Sequence, residues 1–196
     1  MATTTQPMPI SIQEFAAALR KLPASAFQSG SAVLDLMKAA PVAMDSLAAY
    51  LHWDTQHYTR NLVDRTTFYE LIAICWEIGQ FSSVHNHHGQ NCWMAAPTGR
   101  LLVENYRTVF EDLGAGKCKL EPSDAVEMNP AQPCAVDPAE PVHRVVNRRE
   151  FNERAVSLHV YSQPIDSCVV YSPEKGTCGE IKLHYTTQYG RAPEFK

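Results

Sequence analysis

The chain has 196 residues, 45% of them hydrophobic, and a formal net charge of −4 from 17 basic and 21 acidic side chains. That suffices for one domain, residues 1–196, with a sizeable core; no apolar run reaches the ~18 residues of a membrane span, and the lack of a basic block argues against a nucleic-acid partner. Residues 1–9 lack the basic start and apolar stretch of a secretory signal, and six cysteines without a CxxC pair fit reduced thiols in the cytoplasm.

The first third reads as helical. Ser11-Ile12-Gln13-Glu14 is a capping-box pattern, with Ile12, Phe15, Leu19 and Leu22 following at helical spacing until Pro23. A second helix is expected over 31–39, closed by Pro41, and a third over 44–52 with Leu47, Tyr50 and Leu51 inward. Residues 1–53 thus form a helical cap, and 54–196 a β-barrel. The segment 68–76 is rich in apolar and aromatic residues and reads as a buried strand. Further strands are expected over 83–87, 91–95, 101–107, 142–147, 155–161, 168–171 and 180–185. Pro97-Thr98-Gly99 and Glu174-Lys175-Gly176 mark turns. The stretch 114–141, with Pro122, Pro130, Pro133, Pro138 and Pro141, shows little periodicity and reads as a long loop with one short strand near Val126. Helices first and many short strands afterwards predict a mainly β fold, a small jelly-roll barrel behind an N-terminal helical cap.

The strand region carries the frame Gly79-x5-His85-x-His87-x4-Cys92-x6-Gly99, and farther on Pro138-x4-His143-x3-Asn147. Side chains at i and i+2 of a strand share a face, so His85 and His87 can grip one metal ion. A third imidazole from a distant strand, His143, would complete the site. An isolated His-x-His is more often two partly exposed strand histidines; the frame around this pair matches a cupin metal site. His88 faces the other way along the strand and is not expected to be a ligand. Two departures stand out: Cys92 replaces the usual glutamate of the first motif, and Glu140 the glycine of the second. Three neutral imidazoles leave a divalent ion its full charge and three free positions for an anionic thiolate, an amine and dioxygen. Imidazole suits iron, zinc, copper and nickel alike, so these ligands do not choose the metal.

Several further segments occur in order: Tyr58-Thr59-Arg60-Asn61-Leu62-Val63, Ser83-Val84-His85-Asn86-His87 with Cys92, Val142-His143-Arg144-Val145, Ser157-Leu158-His159-Val160-Tyr161-Ser162, and Ile165-Asp166-Ser167-Cys168. Together they resemble the cysteine dioxygenase family of cupin-type thiol dioxygenases, from Tyr58 to about Gly190. The resemblance implies Fe(II) held by His85, His87 and His143, with L-cysteine and O2 as reactants and cysteine sulfinic acid as product. It implies that Arg60 binds the substrate carboxylate, for which a planar fork of donors is suited, with Tyr58 beside it. Ser157, His159 and Tyr161 alternate along one strand, and the resemblance makes them a hydrogen-bonded relay ending near the metal; otherwise they are a solvated strand face with Val156, Leu158 and Val160 inward. Cys92 matches a cysteine that in animal-type members forms a thioether with a tyrosine, here Tyr161; its plain alternative is a small buried thiol.

This chain departs from the animal-type pattern at Asn86, Asn91 and Gln163. Gln163 stands where the first of two prolines is usual, so that proline's cis bond is not expected. Competing functions are a dioxygenase for another small thiol such as 3-mercaptopropionate, a non-oxidative metal-binding cupin, and a zinc-dependent isomerase. Relatives acting on 3-mercaptopropionate usually have glutamine at the position of Arg60. No long apolar stripe demands a partner, so a monomer is expected.

Overall fold

Ser11 begins the helical cap: its Oγ accepts from the Glu14 amide at 3.2 Å while Glu14 Oε2 accepts from the Ser11 amide at 2.8 Å, satisfying two otherwise orphaned donors. The computed structural model describes residues 7–28 and 31–192; residues 1–6, part of the segment read for a secretory signal, lie outside it. Helix α1 (Ile12–Lys21) buries Ile12, Phe15 and Leu19. A single turn not foreseen in the sequence, α2 (Ser25–Gln28), follows Pro23, and α3 (Ala32–Ala39) buries Val33 and Met37. The expected third helix is instead a 3-10 helix, Met44–Tyr50, with Leu47 its one buried anchor. Ser46 there donates from Oγ to the Ala43 carbonyl at 2.6 Å and accepts the Ile12 amide at 2.9 Å, so its hydroxyl ties this turn to the start of α1.

Among the described residues twelve strands follow: β1 (Thr59–Arg65), β2 (Glu70–Trp76), β3 (Val84–His85), β4 (Cys92–Thr98), β5 (Leu101–Asp112), β6 (Lys117–Met128), β7 (Cys134–Ala135), β8 (Val142–Val146), β9 (Ala155–Tyr161), β10 (Ser167–Ser172), β11 (Thr177–Lys182) and β12 (Thr187–Gln188). One sheet has the order β12-β1-β2-β9-β4-β7; in the other, β10-β11-β6-β5-β8-β3, pairing closes because β3 returns to β10. The fold is mainly β with helices at the N-terminal end, as the succession of elements predicts. Among the described residues no helix is long and apolar enough to cross a membrane.

The stretch 114–141 is not mainly loop. Its first half is the long strand β6, paired with β5 from Leu101↔Met128 to Asp112↔Lys117 with two register shifts, one of them at Pro122. Residues 107–112 of β5 and 122–127 of β6 are exposed on both faces, and only the short run 117–120 of β6 alternates, with Cys118 and Leu120 buried. With neither face of 107–112 or 122–127 buried, no apolar alternation is needed there, which is why most of the strand left no period-2 signal.

All seven residues of β2 and of β9 are buried. Tyr69 and Leu71, Ala73 and Cys75 of β2, with Val156, Leu158 and Val160 of β9, pack against the helices. Ile72, Ile74 and Trp76 join Cys92, Met94 and Tyr161 on the barrel side. Each large apolar side chain sealed this way contributes roughly 1.5–3 kcal/mol. The idea that Ser157, His159 and Tyr161 line a solvated face therefore fails, because the helical cap covers one side of the sheet and the second sheet the other. Asp64 clasps the cap to the sheet by accepting from Arg20 of α1, at 2.9 Å for Nε, and from the Tyr69 hydroxyl. The motif glycine Gly99 has a steric reason. Its φ is +75°, and a Cβ there would come within 2.5 Å of the Arg154 carbonyl oxygen, so only glycine fits.

Candidate metal centre

His85 of β3 and His143 of β8 are register partners in an antiparallel pair, so their side chains leave the sheet on one face at close range. His87 lies two residues beyond His85, just past the end of β3, and reaches the same spot. The ring centroids are 5.1 Å apart for His85–His87, 4.8 Å for His85–His143 and 4.9 Å for His87–His143. One nitrogen from each ring lies within 4.8 Å of the others, forming a group of three that could hold a metal ion. His85 is half-buried, and its Nδ1 donates to the Ser83 carbonyl at 2.9 Å. That contact sets the tautomer and leaves Nε2 as the free electron pair.

His87 and His143 are each 1% exposed, yet neither has a hydrogen-bond partner on either ring nitrogen. Two unsatisfied buried imidazoles are costly without a ligand. Desolvation pushes the His85 pKa down to about 4, and pushes those of His87 and His143 well below the usual value with help from neighbouring rings. The donor set is thus neutral at physiological pH and ready to coordinate. These observations fit a divalent metal, with Cys92 outside the group of three.

His88 lies outside this group. A turn after His87 gives His88 a φ of +51°, and its ring points to Ser167 and Glu180. Asn86 also turns away, donating from Nδ2 to the Tyr171 hydroxyl at 2.9 Å and accepting the Val169 amide at 3.2 Å. Asn91 faces the helical cap, where its Nδ2 donates to the Phe27 and Gln28 carbonyls at 3.1 and 3.0 Å. The peptide before Gln163 is trans.

A cavity of about 50 Å³ adjoins His85 and His87, room for a few waters or one small solute. Arg60 and Tyr58 form one wall, His159 and Tyr161 another, and Ile165, Cys168 and Leu183 close it from the far side. Arg60 is 8% exposed; Nη1 donates to the His184 carbonyl at 3.4 Å, and Nη2 has no partner. Tyr58 stacks on Trp76 with ring centroids 4.7 Å apart, and burial raises its hydroxyl pKa.

The row Ser157, His159, Tyr161 is connected. Trp76 Nε1 donates to Ser157 Oγ at 2.9 Å, Ser157 Oγ lies 2.8 Å from His159 Nε2, and His159 Nδ1 lies 3.5 Å from the Tyr161 hydroxyl. An indole only donates, which gives the row a direction. The serine proton goes to His159 Nε2, Nδ1 carries the imidazole proton toward Tyr161, and the tyrosine O–H is left to the cavity. Burial first, then the charges of His85 and Arg60, holds the His159 pKa down to about 3, keeping that ring neutral. Cys92 of β4 stands directly opposite Tyr161 of β9 in the sheet register. Burial pushes both their pKa values up.

Of the side chains named from the sequence, Tyr58, Arg60, His85, His87, His159 and Tyr161 line this cavity, while His143, Ser157 and Cys92 stand behind them, next to His85, His159 and Tyr161 respectively. Trp76, Glu70, Tyr185 and Cys168 were not singled out, although they complete the site. Glu70 had a visible signal, an acidic residue at the head of an apolar strand. The other three look like ordinary strand residues until the tertiary fold assembles them.

A closed β-barrel with three clustered histidines and a small adjoining cavity defines a β-barrel protein with a candidate metal centre. The family described as "Cysteine dioxygenase type I" matches residues 1–174. The chain therefore belongs to the cysteine dioxygenase type I family, whose members are oxidoreductases. It is 28% identical over 175 residues to cysteine dioxygenase type 1 of Danio rerio, covering 87% of this chain and 85% of that one. It is equally 28% identical to the Homo sapiens protein of the same name over 144 residues, 73% of this chain and 70% of that one. Among solved structures it aligns with a double-stranded β-helix protein from Klebsiella pneumoniae at 13% identity and a TM-score of 0.48, covering 70% of this chain and 88% of that one.

Proposed function

We propose that this chain is a non-haem Fe(II) cysteine dioxygenase: L-cysteine and O2 combine to give cysteine sulfinic acid, both oxygen atoms going to sulfur. The thiol supplies all the electrons, so no external reductant enters. One observation carries the reading. His87, with its buried, unpartnered imidazole nitrogens, and Arg60, with its unpartnered Nη2, line one small cavity, and His143 stands against His87 behind it; this suits a molecule bearing both a metal-binding group and a carboxylate.

His85, His87 and His143 would hold the metal. Bound there, Fe(II) would supply a Lewis acid that lowers the thiol pKa and a redox centre for dioxygen. The protein does the rest. Arg60 grips the substrate carboxylate through its guanidinium fork, with Tyr58 beside it. Ile165 and Leu183 exclude water, which strengthens that charge contact. The chain from Trp76 through Ser157 and His159 keeps the Tyr161 proton on the hydroxyl oxygen, directed at the reacting sulfur. A Cys92–Tyr161 thioether would clamp the ring in that orientation, consistent with their opposed register.

The test is oxygen uptake by Fe(II)-loaded protein given L-cysteine, with mass spectrometry of the product. Stoichiometric cysteine sulfinate is expected. Uptake with 3-mercaptopropionate but not L-cysteine would retain the chemistry and reassign the substrate. No uptake with any small thiol would overturn the reading in favour of a non-oxidative cupin.

A further inference from the structure

Glu70 is fully buried at the head of β2, paired in register with Arg65 of β1 and Tyr161 of β9. It takes no part in the chemistry above. Its Oε2 accepts from the Tyr185 hydroxyl at 2.5 Å and lies 3.6 Å from Arg65 Nε. Its Oε1 has no hydrogen-bond partner and lies 4.0 Å from Arg60 Nη2, which has none either. A carboxylate sealed from water with one oxygen unsatisfied is costly, and is retained only for a reason. Burial pushes the Glu70 pKa up, against the pull of Tyr185, Arg60, Arg65 and the Ile165 amide.

The same groups surround the Arg60 guanidinium. The His184 carbonyl holds Nη1, the Tyr185 ring lies beside the plane with its centroid 5.5 Å from Cζ, and Glu70 attracts Nη2 from 4.0 Å. At that distance Glu70 orients the guanidinium by charge without occupying the N–H, which stays available to a ligand. Tyr185 links both parts, since its hydroxyl donates to Glu70 while its ring flanks Arg60. Arg65 secures the outer end through Asp166 at 3.0 Å.

We propose that Glu70 is the positioning residue of the carboxylate site: with Tyr185, it fixes the plane of the Arg60 guanidinium so that its fork meets the carboxylate of a small thiol acid. This rests on the reading of Arg60 as the carboxylate anchor, and goes beyond it by assigning what aims the anchor. A merely structural ion pair would affect every ligand of the cavity alike. A positioning role affects only ligands that bear a carboxylate.

The experiment is anaerobic calorimetry of Fe(II)-loaded protein with L-cysteine and with cysteamine, which has the thiol and amine but no carboxylate. The native protein is expected to prefer L-cysteine. Glu70→Ala should weaken L-cysteine about tenfold, the worth of a displaced charged hydrogen bond, and cysteamine less than about twofold. Glu70→Gln, which keeps an acceptor for Tyr185 and the packing but removes the charge that aims Arg60, should weaken L-cysteine nearly as much as Glu70→Ala and leave cysteamine unchanged. Tyr185→Phe should weaken L-cysteine about threefold and leave cysteamine unchanged; it carries the test where Glu70→Ala does not fold. Equal loss for both ligands, no loss in either variant, or a native protein without preference for L-cysteine would overturn the proposal. Oxygen uptake is read separately, so a failed dioxygenase assay leaves the calorimetric result interpretable.

Discussion

Two groups of buried polar side chains lie on opposite faces of the first sheet, and they are completed differently. On the helix side, Asp64 accepts from Arg20 and Tyr69, and Asn61 donates to Thr59 and the Ala73 carbonyl while accepting from Thr187 at 2.9 Å. On the barrel side, Arg60, Glu70, His87 and His143 hold six of the eight buried side-chain atoms left without a partner among the described residues. The first group is satisfied by the protein alone and holds the cap to the sheet. The second is complete only with something else bound. Leaving donors and acceptors unsatisfied costs stability, and that cost concentrates where the cavity lies.

Removing one histidine breaks the contrast most directly. His143→Ala should cut metal affinity by more than about 100-fold, beyond what an outer-shell change costs, and abolish oxygen uptake. Metal analysis of anaerobically purified protein checks it. The isosteric His143→Leu should equally lose metal yet raise the urea midpoint of the metal-free protein, because an unsatisfied imidazole gives way to an apolar side chain.

Acid should act on the barrel side alone. His85 titrates at about 4 and His159 at about 3, with His87 and His143 also well below the usual 6.5. As pH falls below 6.5 the unfolded chain takes up protons that the folded one refuses, so stability is full above 6.5 and declines toward pH 4. The four histidines together approach ~5 kcal/mol per pH unit in that window. Urea midpoints of metal-free protein at neutral and mildly acid pH measure this, and His143→Leu should flatten the slope by one proton.

Asp64→Ala attacks the satisfied group. It leaves Arg20 and the buried Tyr69 hydroxyl unpartnered and should destabilise the fold by about 3 kcal/mol. Metal content and the affinity for L-cysteine should stay native where the protein remains folded. Arg60→Ala attacks the ligand-dependent group, raising KM for L-cysteine by roughly 30-fold, about 2 kcal/mol, with cysteamine affinity little changed; because it takes a cation from beside the buried Glu70 carboxylate, the urea midpoint should also fall. The smallest effect is that of Cys92→Ser. The variant should lack the species lighter by two hydrogen atoms that a thioether produces, as mass spectrometry of the intact chain would show, and should lose less than about tenfold in rate, roughly 1 kcal/mol.

Much of the site could be read along the chain because its parts lie close in sequence or alternate along one strand. His85 and His87 are two residues apart, as are Tyr58 and Arg60, and Ser157, His159 and Tyr161 occupy one strand. Period-2 geometry aligns such residues wherever the strand goes. The pairing of Glu70 with Tyr185 was not legible for the opposite reason: 115 residues separate the hydroxyl from the carboxylate it bonds, and no local pattern announces such a meeting. Residues 107–112 of β5 and 122–127 of β6 escaped detection because neither face is buried there, and the third helix narrowed to a 3-10 turn around one buried leucine.

The sequence by itself determined the helix–then–strand order, the capping box at Ser11, and which side chains along each strand share a face. These depend on backbone sterics and neighbours within a few residues. Only the tertiary structure decided that His143 pairs in register with His85, that Cys92 stands opposite Tyr161, and that the helical cap makes β9 buried on both faces. Those outcomes depend on which distant strands pair and in what register, a choice made by packing the whole barrel at once.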